Sequence, residues 1–163
     1  MYSETIIVGA GTEYPLNGMM TLPSDLSNPV PAVVMVHGSG ASNMDEKVLK
    51  LTPFKDLAEG LARHGIASLR YDKRTFVHAR RMIRNKHLTV KEETIEDALL
   101  AVQMLKRDPR IDHDRIFILG HSMGAMLAPR DAGSNGDIHA VYDADILEVF
   151  SGNTGALIGA GEA

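Results

Sequence analysis

Short apolar runs recur along the chain, each closed by a polar or glycine-bearing break, and stretches with helical spacing lie between the later ones. Thr5-Ile6-Ile7-Val8 and Met19-Met20-Thr21-Leu22 predict two opening strands, with Asn17-Gly18 as the turn between or entering them. Pro31 to Val36, Ile66 to Tyr71 and Arg115 to Leu119 are unbroken enough to be buried strands, and Asp137 to Tyr142 reads as the next parallel one. Thr52-Pro53 starts a helix, with threonine as N-cap and proline in the first turn, and Gly65 is placed to end it. A second helix opens at Thr89, where Glu92 completes a capping box. Its apolar positions Ile95, Ala98, Leu99, Val102 and Leu105 form one stripe before Pro109 stops it. Strands alternating with helices predict an α/β protein with a doubly wound, mostly parallel sheet and flanking helices.

Composition narrows this picture in a few places. The 163 residues are enough for one domain with a sizeable core, and four phenylalanines, four tyrosines and no tryptophan make that core aliphatic and methionine-rich. Residues 1–150 are expected to form the domain and 151–163, rich in glycine and alanine, a flexible tail. With no cysteine there is no disulfide, thiolate catalysis or Cys-based zinc site. The start of the chain lacks a basic, then apolar, leader and no long apolar segment follows, so no membrane partner and a cytoplasmic location are expected. The net charge of −4 gives no reason to expect a nucleic-acid partner. Eight basic side chains lie between Arg70 and Lys91, read as a solvated loop and helix start. Gly9-Ala10-Gly11 lacks the third glycine of a dinucleotide fingerprint, and Asp112-His113-Asp114 reads as a polar turn, so neither a cofactor nor a metal is expected.

The chemistry concentrates at Gly120-His121-Ser122-Met123-Gly124, a G-x-S-x-G pattern. An apolar strand run precedes it and the helix formers Ala125-Met126-Leu127-Ala128 follow, the strand, tight turn and helix that lift a nucleophilic serine clear of the backbone. Small residues at 120 and 124 let strand and helix approach. Upstream, the Pro31 to Val36 strand ends in His37-Gly38-Ser39-Gly40. Acyl transfer develops negative charge on the carbonyl oxygen, and backbone N–H groups aimed at it stabilise that charge. In this arrangement one donor belongs to the residue after the serine, Met123, and the other to the loop after the third strand, at Ser39 with Gly40 beside it.

With these residues in view, the chain resembles the α/β-hydrolase superfamily, in the branch of esterases, dienelactone hydrolases and serine aminopeptidases. The resemblance spans about residues 14–130 and rests on Val33 to Gly40, Pro53 to Ala58, Leu69 to Arg74 and Ile118 to Gly124. It implies the N-terminal portion of that fold, Ser122 as nucleophile, Ser39 and Met123 as oxyanion hole, and hydrolysis of an ester or amide through an acyl-enzyme. It gives His37 and His121 a structural role in the two loops.

Members of that superfamily place the acid and the histidine after the serine. Downstream of Ser122 the acids are Asp131, Asp137, Asp143, Asp145, Glu148 and Glu162, and the histidine is His139, inside a predicted strand where a packed or edge role is the more natural one. The other histidines, His64, His78, His87 and His113, fall at helix ends and in loops, where a solvated surface position is expected. The chain therefore reads as truncated after the elbow. Two functions follow: a serine hydrolase of short acyl esters, with a small-molecule ester as its partner, or a catalytically impaired hydrolase-fold module for binding or assembly. An exposed sheet edge would favour a homodimer.

Overall fold

The structure is a computed structural model that describes residues 1–83, 89, 94–127 and 138–143, the last six by their backbone. Its strands are β1 (Tyr2–Val8), β2 (Leu16–Leu22), β3 (Val30–Val36), β4 (Ala67–Tyr71), β5 (Ile111–His121) and β6 (Ile138–Asp143). The helices are α1 (Pro53–Arg63), α2 (Arg74–Val77), α3 (Ala79–Met82) and α4 (Glu96–Lys106), and residues 123–127 are helical as well. The six strands form one sheet in the order β1-β2-β4-β3-β5-β6. The β1/β2 and β2/β4 pairs are antiparallel, while β4/β3, β3/β5 and β5/β6 are parallel.

Both faces of the central strands are covered, which is why β3 reads as a continuous apolar run rather than an alternating one. Ala32, Val34 and Val36 face one way, packed with Leu69, Ile116 and Ile118 under Ala98, Ala101, Val102 and Leu105 of α4. Val33, Met35 and Leu119 face the other way, beneath Phe54, Leu57, Ala58 and Leu61 of α1. Helix α1 begins at Pro53, whose missing N–H costs nothing in a first turn. Its end is made by Gly65 at φ +80°, where Gly65 N–H donates to Ala62 O and Ile66 N–H to Leu61 O.

Several expectations need correction. Asn17-Gly18 is no turn. It lies inside β2, opposite Ile7 and Ile6, because a side chain at 18 would press on Arg70 O at 2.9 Å and on Ile6. The β1–β2 turn is made instead by Gly9 and Gly11 at φ +68° and +83°, with Thr12 N–H donating to Gly9 O. Asp112-His113-Asp114 belongs to the first half of β5, where the register with β3 jumps from Val30↔Ile111 to Ala32↔Ile116. The buried stripe of α4 takes in Ala101 and Asp97, while Leu99 is only partly covered. Glu92 of the expected capping box and the expected tail, 151–163, lie outside the described residues, as does His87. Among the described residues no helix is long and apolar enough to cross a membrane.

Candidate active site

Strand β5 ends at His121, and Ser122 follows at φ +52°, a left-handed conformation that a non-glycine residue adopts only where its surroundings force it. The chain then turns directly into helix, Met126 N–H donating to Ser122 O at 3.2 Å. What forces the turn is contact between backbones. A Cβ on Gly120 would run into the backbone of Gly124 and Ala125, and one on Gly124 into the carbonyl oxygens of Val36 and His37. Helix, β5 and β3 therefore meet at two positions where only hydrogen fits, leaving Ser122 exposed at the C-terminal end of the sheet.

The loop after β3 comes to the same place. A Cβ on Gly38 would sit 3.3 Å from Ser122 Cβ and 3.1 Å from His121 Nδ1, and Ser39 Oγ contacts Met123 Sδ at 3.6 Å. The structure thus brings Ser39, Ser122 and Met123 together, with Ser39 and Ser122 both exposed.

Behind them lies a layer of buried polar side chains. His37 is almost fully buried, its ring 5.4 Å from those of Phe54 and Tyr71, and Nε2 lies 3.1 Å from Asn43 O, where the neutral ring donates its proton. Burial pushes its pKa down to about 4, against the opposing pull of Glu46. Glu46 is buried, at φ +51°, and its Oε1 accepts from Gly38 N–H at 3.3 Å and from His121 Nδ1 at 3.0 Å. Its Oε2 has no hydrogen-bond partner and stands 3.9 Å from His37 Nε2. Lys73 Nζ donates to Gly38 O at 2.8 Å, Asp72 Oδ1 accepts from Met44 N–H at 2.8 Å, and Arg70 Nε donates to Asp45 at 3.0 Å. Arg74 forms a buried pair with Asp97 of α4 and lies 4.7 Å over the Tyr14 ring.

Arg70, Lys73 and Arg74 are therefore buried and engaged, and the expectation of a solvated basic loop fails at its first three members. They fail it because each meets a partner inside the fold: Arg70 pairs with Asp45, Lys73 donates to Gly38 O, and Arg74 pairs with Asp97 of α4. Asp45 and Glu46 carried no signal in the sequence, since a polar loop has no periodicity to mark which of its acids turns inward.

The residues after Ser122 are placed by register. His139 in β6 pairs with Phe117, five residues before the serine, about 16 Å from it along the strand. That distance exceeds the reach of a histidine side chain. Asp143 pairs with His121 and so stands at the level of the elbow.

A mostly parallel sheet with helices on both faces, a serine on a strained turn at its C-terminal end and a glycine loop beside it define an α/β-hydrolase fold. Residues 27–139 match Hydrolase_4, the serine aminopeptidase S33 family, and the chain belongs to that family. It is 51% identical over 117 residues to Esterase EstD of Thermotoga maritima, a match covering 72% of this chain and 27% of that protein. Among solved structures it is similar to the α/β hydrolase GrgF from Penicillium sp. (TM-score 0.62, 20% identity, 86% of this chain and 44% of that one). It is also similar to a dienelactone hydrolase from Anabaena variabilis (TM-score 0.60, 22% identity, 85% and 62%). The chain spans about a quarter of the length of the esterase and under two thirds of either solved chain.

Proposed function

We propose that this chain carries the nucleophile and oxyanion half of a serine hydrolase that acts on small carboxylic esters through an acyl-enzyme. The observation that carries the reading is Ser122 at φ +52°, exposed between two glycines that admit no side chain, with Gly38-Ser39 packed against it. In this reaction Ser122 Oγ attacks the carbonyl carbon and its proton passes to a base. The carbonyl oxygen takes up the negative charge beside the N–H groups of Ser39 and Met123. The C–O bond to the alcohol then breaks, and water releases the acid. The 51% identity to an esterase supports an ester substrate.

In this reading the base is none of His37, His121 and His139. His37 is buried and donates to Asn43 O, His121 turns Nδ1 to Glu46, and His139 lies far down β6.

Intact-mass labelling with a fluorophosphonate tests the assignment without knowledge of the natural substrate. One adduct per chain is expected in the wild type and none in Ser122→Ala. Labelling that persists in Ser122→Ala would remove the serine from this role.

A further inference from the structure

Lys73 stands two residues beyond the end of β4, is 2% exposed, and donates from Nζ to Gly38 O over 2.8 Å. Its own N–H is tied to Ser42 O at 3.0 Å, so both ends of the residue are anchored in the loop after β3. A lysine is seldom buried to this degree, because the ammonium loses its hydration, so its placement on one particular carbonyl calls for a reason. The reason lies in the peptide unit that carbonyl belongs to. A peptide group is planar and trans, so the C=O of Gly38 and the N–H of Ser39, which share one unit, point in opposite directions. Fixing the oxygen toward Lys73 fixes the Ser39 N–H away from it. The neighbouring unit is held too, since Gly38 N–H donates to Glu46 Oε1 at 3.3 Å.

We propose that Lys73 is a positioning residue for the oxyanion hole: its ammonium holds Gly38 O and so aims the Ser39 N–H at the charge that develops on the substrate carbonyl. This rests on the reading of Ser122 as nucleophile. The charge on Lys73 has a second effect, because a cation on the carbonyl polarises the peptide and makes the Ser39 N–H a stronger donor. Lys73 touches no substrate and exchanges no proton in this role. It acts through one peptide plane, and the loop is preorganised before substrate arrives, which is what makes an oxyanion donor effective.

Lys73→Met keeps the length and bulk of the side chain and removes the donor. Phosphonylation of Ser122 by a fluorophosphonate should slow by about 100-fold, the loss typical of one oxyanion donor. With p-nitrophenyl acetate the fall should appear in kcat, with KM changed by less than about threefold. The Ser39 amide resonance should shift in the free protein. A folded Lys73→Met that labels within about threefold of wild type overturns the proposal. Should that variant not fold, the wild-type adduct decides: the Ser39 amide proton should move downfield when the phosphonyl group is attached, and an unmoved proton sinks the idea. If the wild type takes no label, the nucleophile assignment has failed by itself. The Ser39 amide in unlabelled Lys73→Met against wild type then still tests the aiming, and an unchanged resonance overturns it.

Discussion

Two segments converge on Ser122, and they are held by opposite means. The turn at residues 120–124 is short and fixed by backbone against backbone: Gly120 meets Gly124, and Gly124 meets the end of β3. The segment from His37 to Thr52 is long and fixed by side chains, through His37, Asn43, Asp45 and Glu46 from within and Arg70, Asp72 and Lys73 from β4 and just beyond. A steric lock has no charge state and no partial failure. A polar lock can be weakened by degrees, by pH or by a single proton. The difference teaches that Ser122 is placed by shape, while the loop that carries Ser39 beside it is placed by electrostatics that the rest of the fold can adjust.

That contrast can be broken most severely at Gly124. Gly124→Ala puts a methyl group into the carbonyl oxygens of Val36 and His37 with no flexible side chain to yield. A loss of more than about 4 kcal/mol is expected, seen as disappearance of a cooperative thermal transition. An unchanged melting curve would mean the turn is not sterically locked.

The polar segment should instead respond to pH. His37 has a folded-state pKa of about 4 against an ordinary value of 6.5, because burial disfavours its charged form. The unfolded chain therefore takes up a proton that the folded one refuses. Stability from this group is complete above pH 6.5 and declines as the pH falls toward 4. The decline amounts to something on the order of 3 kcal/mol, given the energy of one pKa unit. Urea midpoints measured across that window should fall in the wild type and fall less in His37→Asn; parallel slopes would show that another group governs the loss.

The smallest change is Glu46→Gln, which keeps an acceptor for Gly38 N–H and His121 Nδ1 but removes the charge. It should cost about 1 kcal/mol by denaturant titration, with Glu46→Ala costing about 2 because the buried Gly38 N–H and the part-buried His121 Nδ1 then lose their acceptor. Equal stabilities for the two variants would show that the carboxylate binds neither donor in solution.

How much of this could be read beforehand divides along the same line. The buried strands were legible because unbroken apolar runs have one explanation in a covered sheet, and Pro53 and Gly65 marked α1 because their backbone limits are local. The elbow was legible too, since its glycines and serine are adjacent in sequence. Asn17-Gly18 misled, because the pair suits a hairpin turn in isolation, whereas the sheet needs a glycine where Arg70 O approaches. Arg70, Lys73, Arg74 and Glu46 were misread or missed, because their burial depends on partners far along the chain. Asp97 was hidden for the same reason: Arg74, which pairs with it, lies 23 residues earlier. Local geometry announces itself in the sequence, and long-range charge pairing does not.

The register of β3 against β5 carries a consequence for which length changes this protein tolerates. From Ala32↔Ile116 to Val36↔Gly120 the pairing is unbroken, and the mismatch is absorbed lower down, between Val30↔Ile111 and Ala32↔Ile116. A residue gained or lost near 112–115 can disappear into that irregularity. A residue gained between 116 and 120 cannot, for it would carry Ser122 about 3.3 Å past the loop and turn every side chain above it to the opposite face. Inheritance of this domain is thus free to lengthen or shorten the foot of β5 and obliged to keep the count of residues in its upper end.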